Sequence, residues 1–79
     1  GIEDGAAVAE RIRAAVAAMP VAAEAGPIGI TVSIGLAAAG PGETLQDAMR
    51  RADAALYAAK HGGRNRVELA PAVTAATAR

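Results

Sequence analysis

No cysteine occurs in the 79 residues, which excludes a disulfide framework and any thiolate metal site, and is compatible with a reducing compartment. Tryptophan and phenylalanine are also absent, and Tyr57 is the one aromatic residue, so large core-filling side chains are scarce. Excess charge of either sign is missing too. Eight basic and eight acidic residues give a formal net charge of zero, which removes the broad electrostatic footprint of a general nucleic-acid binder. An anion site, if one exists, is local. No apolar run approaches the roughly 18 to 20 residues of a membrane span, and the first residues lack the basic and apolar regions of a signal peptide. These absences are read as a soluble, cytoplasmic chain with no membrane segment. The single serine, Ser33, and the single histidine, His61, are joined by no recognisable motif, so nothing points to nucleophilic catalysis.

What the chain has in abundance is alanine. There are 24, against 18 residues of Ile, Val, Leu, Met and Tyr combined. A domain near this size buries only about 60 to 65% of its unfolded surface, and ordering each residue costs on the order of 1 to 2 kcal/mol of backbone entropy. The expectation is a thin core, marginal stability alone, or a partner surface that completes it.

Val8, Ile12, Val16 and Met19 recur at helical spacing within Ala6 to Met19, with Glu10, Arg11 and Arg13 off that stripe and able to face water. Pro20 closes this first helix. Beyond a linker with Gly26 and Pro27, every large apolar residue from Ile28 to Leu36 sits at an even position, the period of a strand. Gly29 and Gly35 in that strand imply a close neighbour, and close packing is commoner than ligand contact. Thr44 with Asp47 resembles a capping box that opens a second helix, whose stripe is Leu45, Met49, Ala52, Leu56 and Ala59, with Asp47 in reach of Arg50 and Arg51. Gly62 and Gly63 stop it near His61. Arg66 to Leu69 reads as a short strand, and Ala70 to Arg79 as an unanchored tail.

Lys60 and Arg64 flank the glycine pair and are the one candidate site that chemistry supports. A Lys point charge beside an Arg fork suits a polyphosphate. The helix dipole repels anions at a C-terminus, so side-chain charge and glycine amides would have to hold one there. The ordinary alternative is that Lys60 complements the dipole and Arg64 is a solvated loop charge, and spacing alone favours it. His61 without a second ligand makes a poor metal site. Asp53 reads as structural, and Glu3 and Asp4 as a solvated helix entry. No clustered carboxylates suggest metal chemistry, and Gly40 to Thr44 has no Walker lysine or dinucleotide spacing.

Three ordered blocks go further: Ala9-Glu10-Arg11-Ile12-Arg13; then Ile30 to Ala37; then Arg51 to Lys60 continuing into Gly63-Arg64-Asn65-Arg66-Val67. Together they resemble the C-terminal half of a GGDEF domain, the diguanylate cyclase family, over roughly residues 6 to 69. The resemblance implies an α/β (α+β) palm-like fold in the order helix-strand-helix-strand, with a mainly antiparallel sheet flanked by helices. It divides the chain into residues 1–69, the C-terminal portion of the domain, and a tail over 70–79. Such domains join two GTP molecules into cyclic di-GMP across a homodimer, with magnesium. By the same resemblance Lys60 and Arg64 contact the GTP terminal phosphates, reversing the spacing-only reading, and Arg11 contacts cyclic di-GMP at an inhibitory site found in some members. Asp53, Tyr57 and Asn65 match positions read as structural. The GGDEF loop, the metal-binding acids and the guanine-recognising residues precede the region that matches, so this chain alone is expected to hold no catalytic residue or metal ligand and to be inactive. The competing expectation is a degenerate, non-catalytic module for interaction or dimerisation, motivated by the thin core.

Overall fold

The computed structural model describes residues 1–21, 26 and 28–72. Within them the chain runs α1 (Ile2–Ala18), β1 (Pro20–Val21), β2 (Ile28–Gly29), β3 (Ile34–Leu36), α2 (Leu45–His61) and β4 (Val67–Leu69). Helix α2 begins as its sequence dictates. The Asp47 N–H donates to the Thr44 hydroxyl at 3.1 Å, and the Thr44 N–H donates back to the Asp47 carboxylate at 3.3 Å, so two orphan amides of the first turn are satisfied reciprocally. Arg50 also donates to Asp47, at 3.1 Å. Helix α1 starts at Ile2, earlier than its apolar stripe indicates, with Glu3 and Asp4 in the first turn where acids suit the dipole.

The predicted strand over 28–36 is interrupted. Only Ile28–Gly29 (β2) and Ile34–Leu36 (β3) form strand, each in a different two-stranded sheet, with 30–33 between them outside any ladder, because a period-two pattern makes strand only where a partner backbone lies alongside. The expected mainly antiparallel sheet also requires correction. β3 pairs with β4 in parallel, in the register Ile34 with Val67, Gly35 with Glu68 and Leu36 with Leu69. The antiparallel pairing is confined to the short β1–β2 ladder, Pro20 with Gly29 and Val21 with Ile28. The reason is the connection: α2 carries the chain back along the sheet before β4 begins, and a helical crossover returns a strand in the same direction.

Helix α2 lies on β3 at unusually short range. A Cβ placed on Gly35 would stand 2.8 Å from the Leu56 Cα and closer still to the Leu56 nitrogen and the Ala52 carbonyl oxygen. Close packing therefore accounts for Gly35. Nothing lies within 4 Å of a Cβ built on Gly29, so the same argument does not extend to it. Among the described residues the buried apolar side chains are all alanines: Ala9, Ala48, Ala55, Ala59 and Ala70, with Ala59 fully covered. The predicted stripe of α2 is thus rotated. Ala59 is buried while Leu45 and Met49, 74% and 58% exposed, face away from the sheet. On α1, Val8 and Ile12 are 44% and 50% exposed and line an open apolar hollow with Ile34 and Leu36. The thin core anticipated from composition is observed, with an uncovered apolar face beside it.

Arg51 secures the loop between β3 and α2 to the chain beyond β4. Its Nε and Nη2 donate to the two Glu43 oxygens, each at 2.7 Å, Nη2 also donates to the Ala38 carbonyl, and Nη1 donates to the Pro71 carbonyl at 2.8 Å. The Ala70 N–H donates to the Leu36 carbonyl at 2.8 Å. Ala70 and Pro71 are therefore anchored, contrary to a tail free from Ala70 onward, and residues 73–79 of that tail lie outside the described residues, as does most of the predicted linker. No helix among the described residues is long and apolar enough to cross a membrane.

Two outcomes follow from these contacts. Gly35→Ala should lower the thermal midpoint, by an overpacking cost of about 1 to 3 kcal/mol or more, because backbone rather than a flexible side chain must yield; an unchanged midpoint would show that the helix slides off freely. Hydrogen bonds from Arg51, and then the Gly40 N–H, lower the Glu43 carboxyl from 4.5 to about 2. Since the folded-state value is the lower one, the stabilisation is complete above about pH 4.5 and is lost as pH falls toward 2. Unfolding midpoints measured across that window should fall less steeply in Glu43→Gln than in the parent chain, and equal slopes would remove Arg51–Glu43 as the cause.

Candidate functional site

The site is built at the stop of α2. The Gly62 N–H donates to the Ala58 carbonyl at 2.8 Å and the Arg64 N–H to the Ala59 carbonyl at 2.9 Å, the six-to-one closure of a Schellman stop, with Gly63 at φ +120. Of the predicted glycine pair, Gly63 supplies the positive φ and Gly62 stays at φ −89. The left-handed excursion continues beyond the glycines. Arg64 at φ 60 and Asn65 at φ 48 both adopt it, which costs roughly 1 to 2 kcal/mol per ordinary residue, and less for Asn. The far end of the turn joins the sheet, where the Ile34 N–H donates to the Arg66 carbonyl at 3.0 Å.

Lys60 in the last turn of α2 and Arg64 in the stop are both exposed. Among the described residues neither pairs with a carboxylate. Arg66 differs, since its guanidinium lies 3.5 Å from Glu68 and is partly neutralised. The amides of Gly62 and Arg64 are committed to the helix carbonyls, so an anion here relies on side-chain charge more than the glycine-rich sequence suggests. The negative end of the α2 dipole also opposes an anion, which leaves Lys60 and Arg64 as the attractive groups.

The other candidates are dispersed. Arg11 is exposed on α1 and forms no hydrogen bond or ion pair with the described residues. His61 stacks on Tyr57 with ring centroids 3.8 Å apart, and its Nδ1 lies 2.9 Å from the Tyr57 carbonyl oxygen, an ordinary helix-end arrangement. Asp53 is exposed, and its carboxylate takes no hydrogen bond from the described residues. Among those residues no three His, Cys, Asp or Glu side chains converge on a point that could hold a metal ion.

Sequence reasoning missed Arg13. Placed off the apolar stripe and able to face water, its side chain is only 19% exposed. Its Nε and Nη2 donate to the Glu10 carboxylate at 2.8 and 2.6 Å, and Nη1 donates to the Asn65 Oδ1 at 2.7 Å. The hydrogen bonds between them lower the Glu10 carboxyl and raise the Arg13 guanidinium from their ordinary values. The i, i+3 spacing of Glu10 and Arg13 signals their pairing. Nothing in the sequence signals the reach to Asn65.

Comparison with known proteins bears on the family of the chain as a whole. The family described as "Diguanylate cyclase, GGDEF domain" matches residues 2–66. Diguanylate cyclase DgcP of Pseudomonas aeruginosa is 44% identical over 69 residues, covering 87% of this chain and 10% of that protein. Response regulator PleD of Caulobacter vibrioides is 41% identical over 69 residues, 84% of this chain and 15% of that protein. Among solved structures, the GGDEF domain of DgcB from Caulobacter crescentus in complex with c-di-GMP superposes with a TM-score of 0.83 at 42% identity, covering 89% of this chain and 43% of that one. The DgcB structure that includes the coiled coil superposes at 0.81 and is covered over 38% of its length. The chain thus spans a small part of the curated relatives and less than half of the solved chains.

Gly63→Ala should disturb the stop itself. A Cβ at φ +120 is strained wherever there is space for it. The Arg64 amide, held at present by the Ala59 carbonyl, should exchange with solvent several-fold faster in the variant; unchanged protection of that amide would show that the turn does not need the glycine.

Proposed function

Because the chain belongs to the diguanylate cyclase GGDEF domain family, we propose that residues 1–69 are the C-terminal portion of a cyclase domain, with 70–79 a tail anchored at its first two residues, and that Lys60 and Arg64 hold the terminal phosphates of GTP. The family match over residues 2–66 carries this reading. Two exposed cations without carboxylate partners among the described residues, on a turn fixed to both helix and sheet, support it. In the whole domain two GTP molecules would be condensed into cyclic di-GMP in the cytoplasm, across a homodimer.

The chemistry assigned to this chain is binding. A Lys ammonium is a compact point charge and an Arg guanidinium a planar fork, a combination suited to neighbouring phosphate oxygens. Exposed cations gain little against water, so the isolated chain is assigned weak affinity and no turnover. Magnesium would serve the complete domain, and among the described residues no three His, Cys, Asp or Glu side chains converge to hold it. Arg11, exposed on α1, is assigned a contact with cyclic di-GMP at an inhibitory site. The DgcB neighbour, solved in complex with c-di-GMP, supports that ligand class.

Titration of the chain with GTP and magnesium, followed by amide chemical shifts, tests the reading. Shifts confined to Lys60, Arg64 and their neighbours are expected, and Lys60→Ala should weaken the response about tenfold, the loss of one charge-assisted contact. Uniform silence, or an unaltered response in Lys60→Ala, rejects the phosphate assignment. A parallel titration with cyclic di-GMP should shift Arg11 instead.

A further inference from the structure

Arg64 and Asn65 are consecutive non-glycine residues in the left-handed region, at φ 60 and 48. Such residues persist only where their surroundings over-determine them. The Schellman closure acts on the near side of the turn, through the Arg64 N–H, and the Arg66 carbonyl acts on the far side. Asn65 lies between, and the side-chain contact that reaches it comes from α1, 52 residues earlier in the chain.

We infer that Arg13 is a positioning residue: clamped by Glu10, it fixes Asn65 and so sets the turn that presents Arg64. The geometry suits that task. Both Glu10 oxygens grip the guanidinium, at 2.8 and 2.6 Å, leaving Nη1 directed at the Asn65 Oδ1 at 2.7 Å. A bidentate pair restricts the guanidinium more than a single contact does. The Arg13 side chain is 19% exposed, so it is less screened than a free surface cation. Asn accepts the bond while tolerating positive φ, two properties that few residues combine. Helix α1 thereby acts on the candidate site without contributing a group to it. The orientation of Arg64 becomes a property of α1 docking, not of the helix stop alone.

The functional half of this inference rests on the phosphate reading of Lys60 and Arg64, while the conformational half does not. A double-mutant cycle separates them, using Arg13→Gln, Asn65→Ala and the pair, with inorganic tripolyphosphate as the probe. In each single variant the Cα and Cβ shifts of Arg64 should move away from left-handed values, and the tripolyphosphate midpoint should rise about threefold to tenfold. The pair should be no worse than Asn65→Ala alone, because that change already removes the bond that Arg13→Gln removes. Asn65→Ala keeps the Glu10–Arg13 clamp and alters only an exposed turn residue, so it remains informative if Arg13→Gln unfolds. Additive effects, or left-handed Arg64 shifts retained in Asn65→Ala, overturn the inference. If the parent chain ignores tripolyphosphate, the phosphate reading fails, and the Arg64 shifts still decide whether Arg13 sets the turn.

Discussion

The approach of α2 to β3 at Gly35 is the contact on which the rest of the structure depends. With no side chain on the strand at that point, the helix backbone at Ala52 and Leu56 descends onto the strand backbone. Only small residues can then occupy the interface, and Ala48, Ala55 and Ala59 do. A composition poor in large side chains becomes workable because backbones meet closely enough for methyl groups to fill the space, at the cost of little apolar area per residue. The same closeness fixes where α2 ends relative to β3. The turn after the helix therefore meets the sheet, with the Arg66 carbonyl facing the Ile34 amide.

Two arginines extend this small core by polar means. Arg51 joins the loop before α2 to the chain after β4 through Glu43, Ala38 and Pro71. Arg13 joins α1 to the turn after α2 through Glu10 and Asn65. In each case a carboxylate grips one side of the guanidinium and directs the remainder at a distant acceptor. The planar fork thereby connects segments that the apolar core is too thin to hold. Lys60 and Arg64 stand apart from this pattern, exposed and without carboxylate partners among the described residues, and that is the physical distinction between the structural cations and the candidate binding ones.

Local features were legible in the sequence. The Thr44–Asp47 box and the helix stop at Gly62 and Gly63 rest on neighbouring residues, and the structure contains them; the short strand expected over Arg66 to Leu69 is observed as Val67–Leu69, and the glycine at 35 signalled a close neighbour without saying which. What escaped was set by distant partners. The unbroken strand over 28–36 gave way because pairing needs a second backbone, and the sheet direction followed from the helical crossover instead of the expected antiparallel arrangement. The stripe of α2 was misplaced at Leu45 and Met49 because periodicity weights large residues, whereas closeness at Gly35 selects small ones. At the candidate site Lys60 and Arg64 are proposed from charge and resemblance, against what spacing alone favoured, but the Arg13–Asn65 bond joins residues 52 apart and leaves no local trace.

The parallel β3–β4 ladder sets the order in which the molecule can assemble. Its strands are separated by the whole of α2, so bringing them together as bare chain would first incur the entropy of closing that long loop. Helix α2, capped at both ends by contacts within its own neighbourhood, forms from local interactions and shortens the gap that β4 must cross. On that loop-closure argument, pairing of β4 falls after α2 has formed. Because the helix stop leads directly into β4, the two exposed cations differ in what holds them: Lys60 belongs to the helix, whereas Arg64 sits in a turn whose far end is tied to β3 through the Arg66 carbonyl.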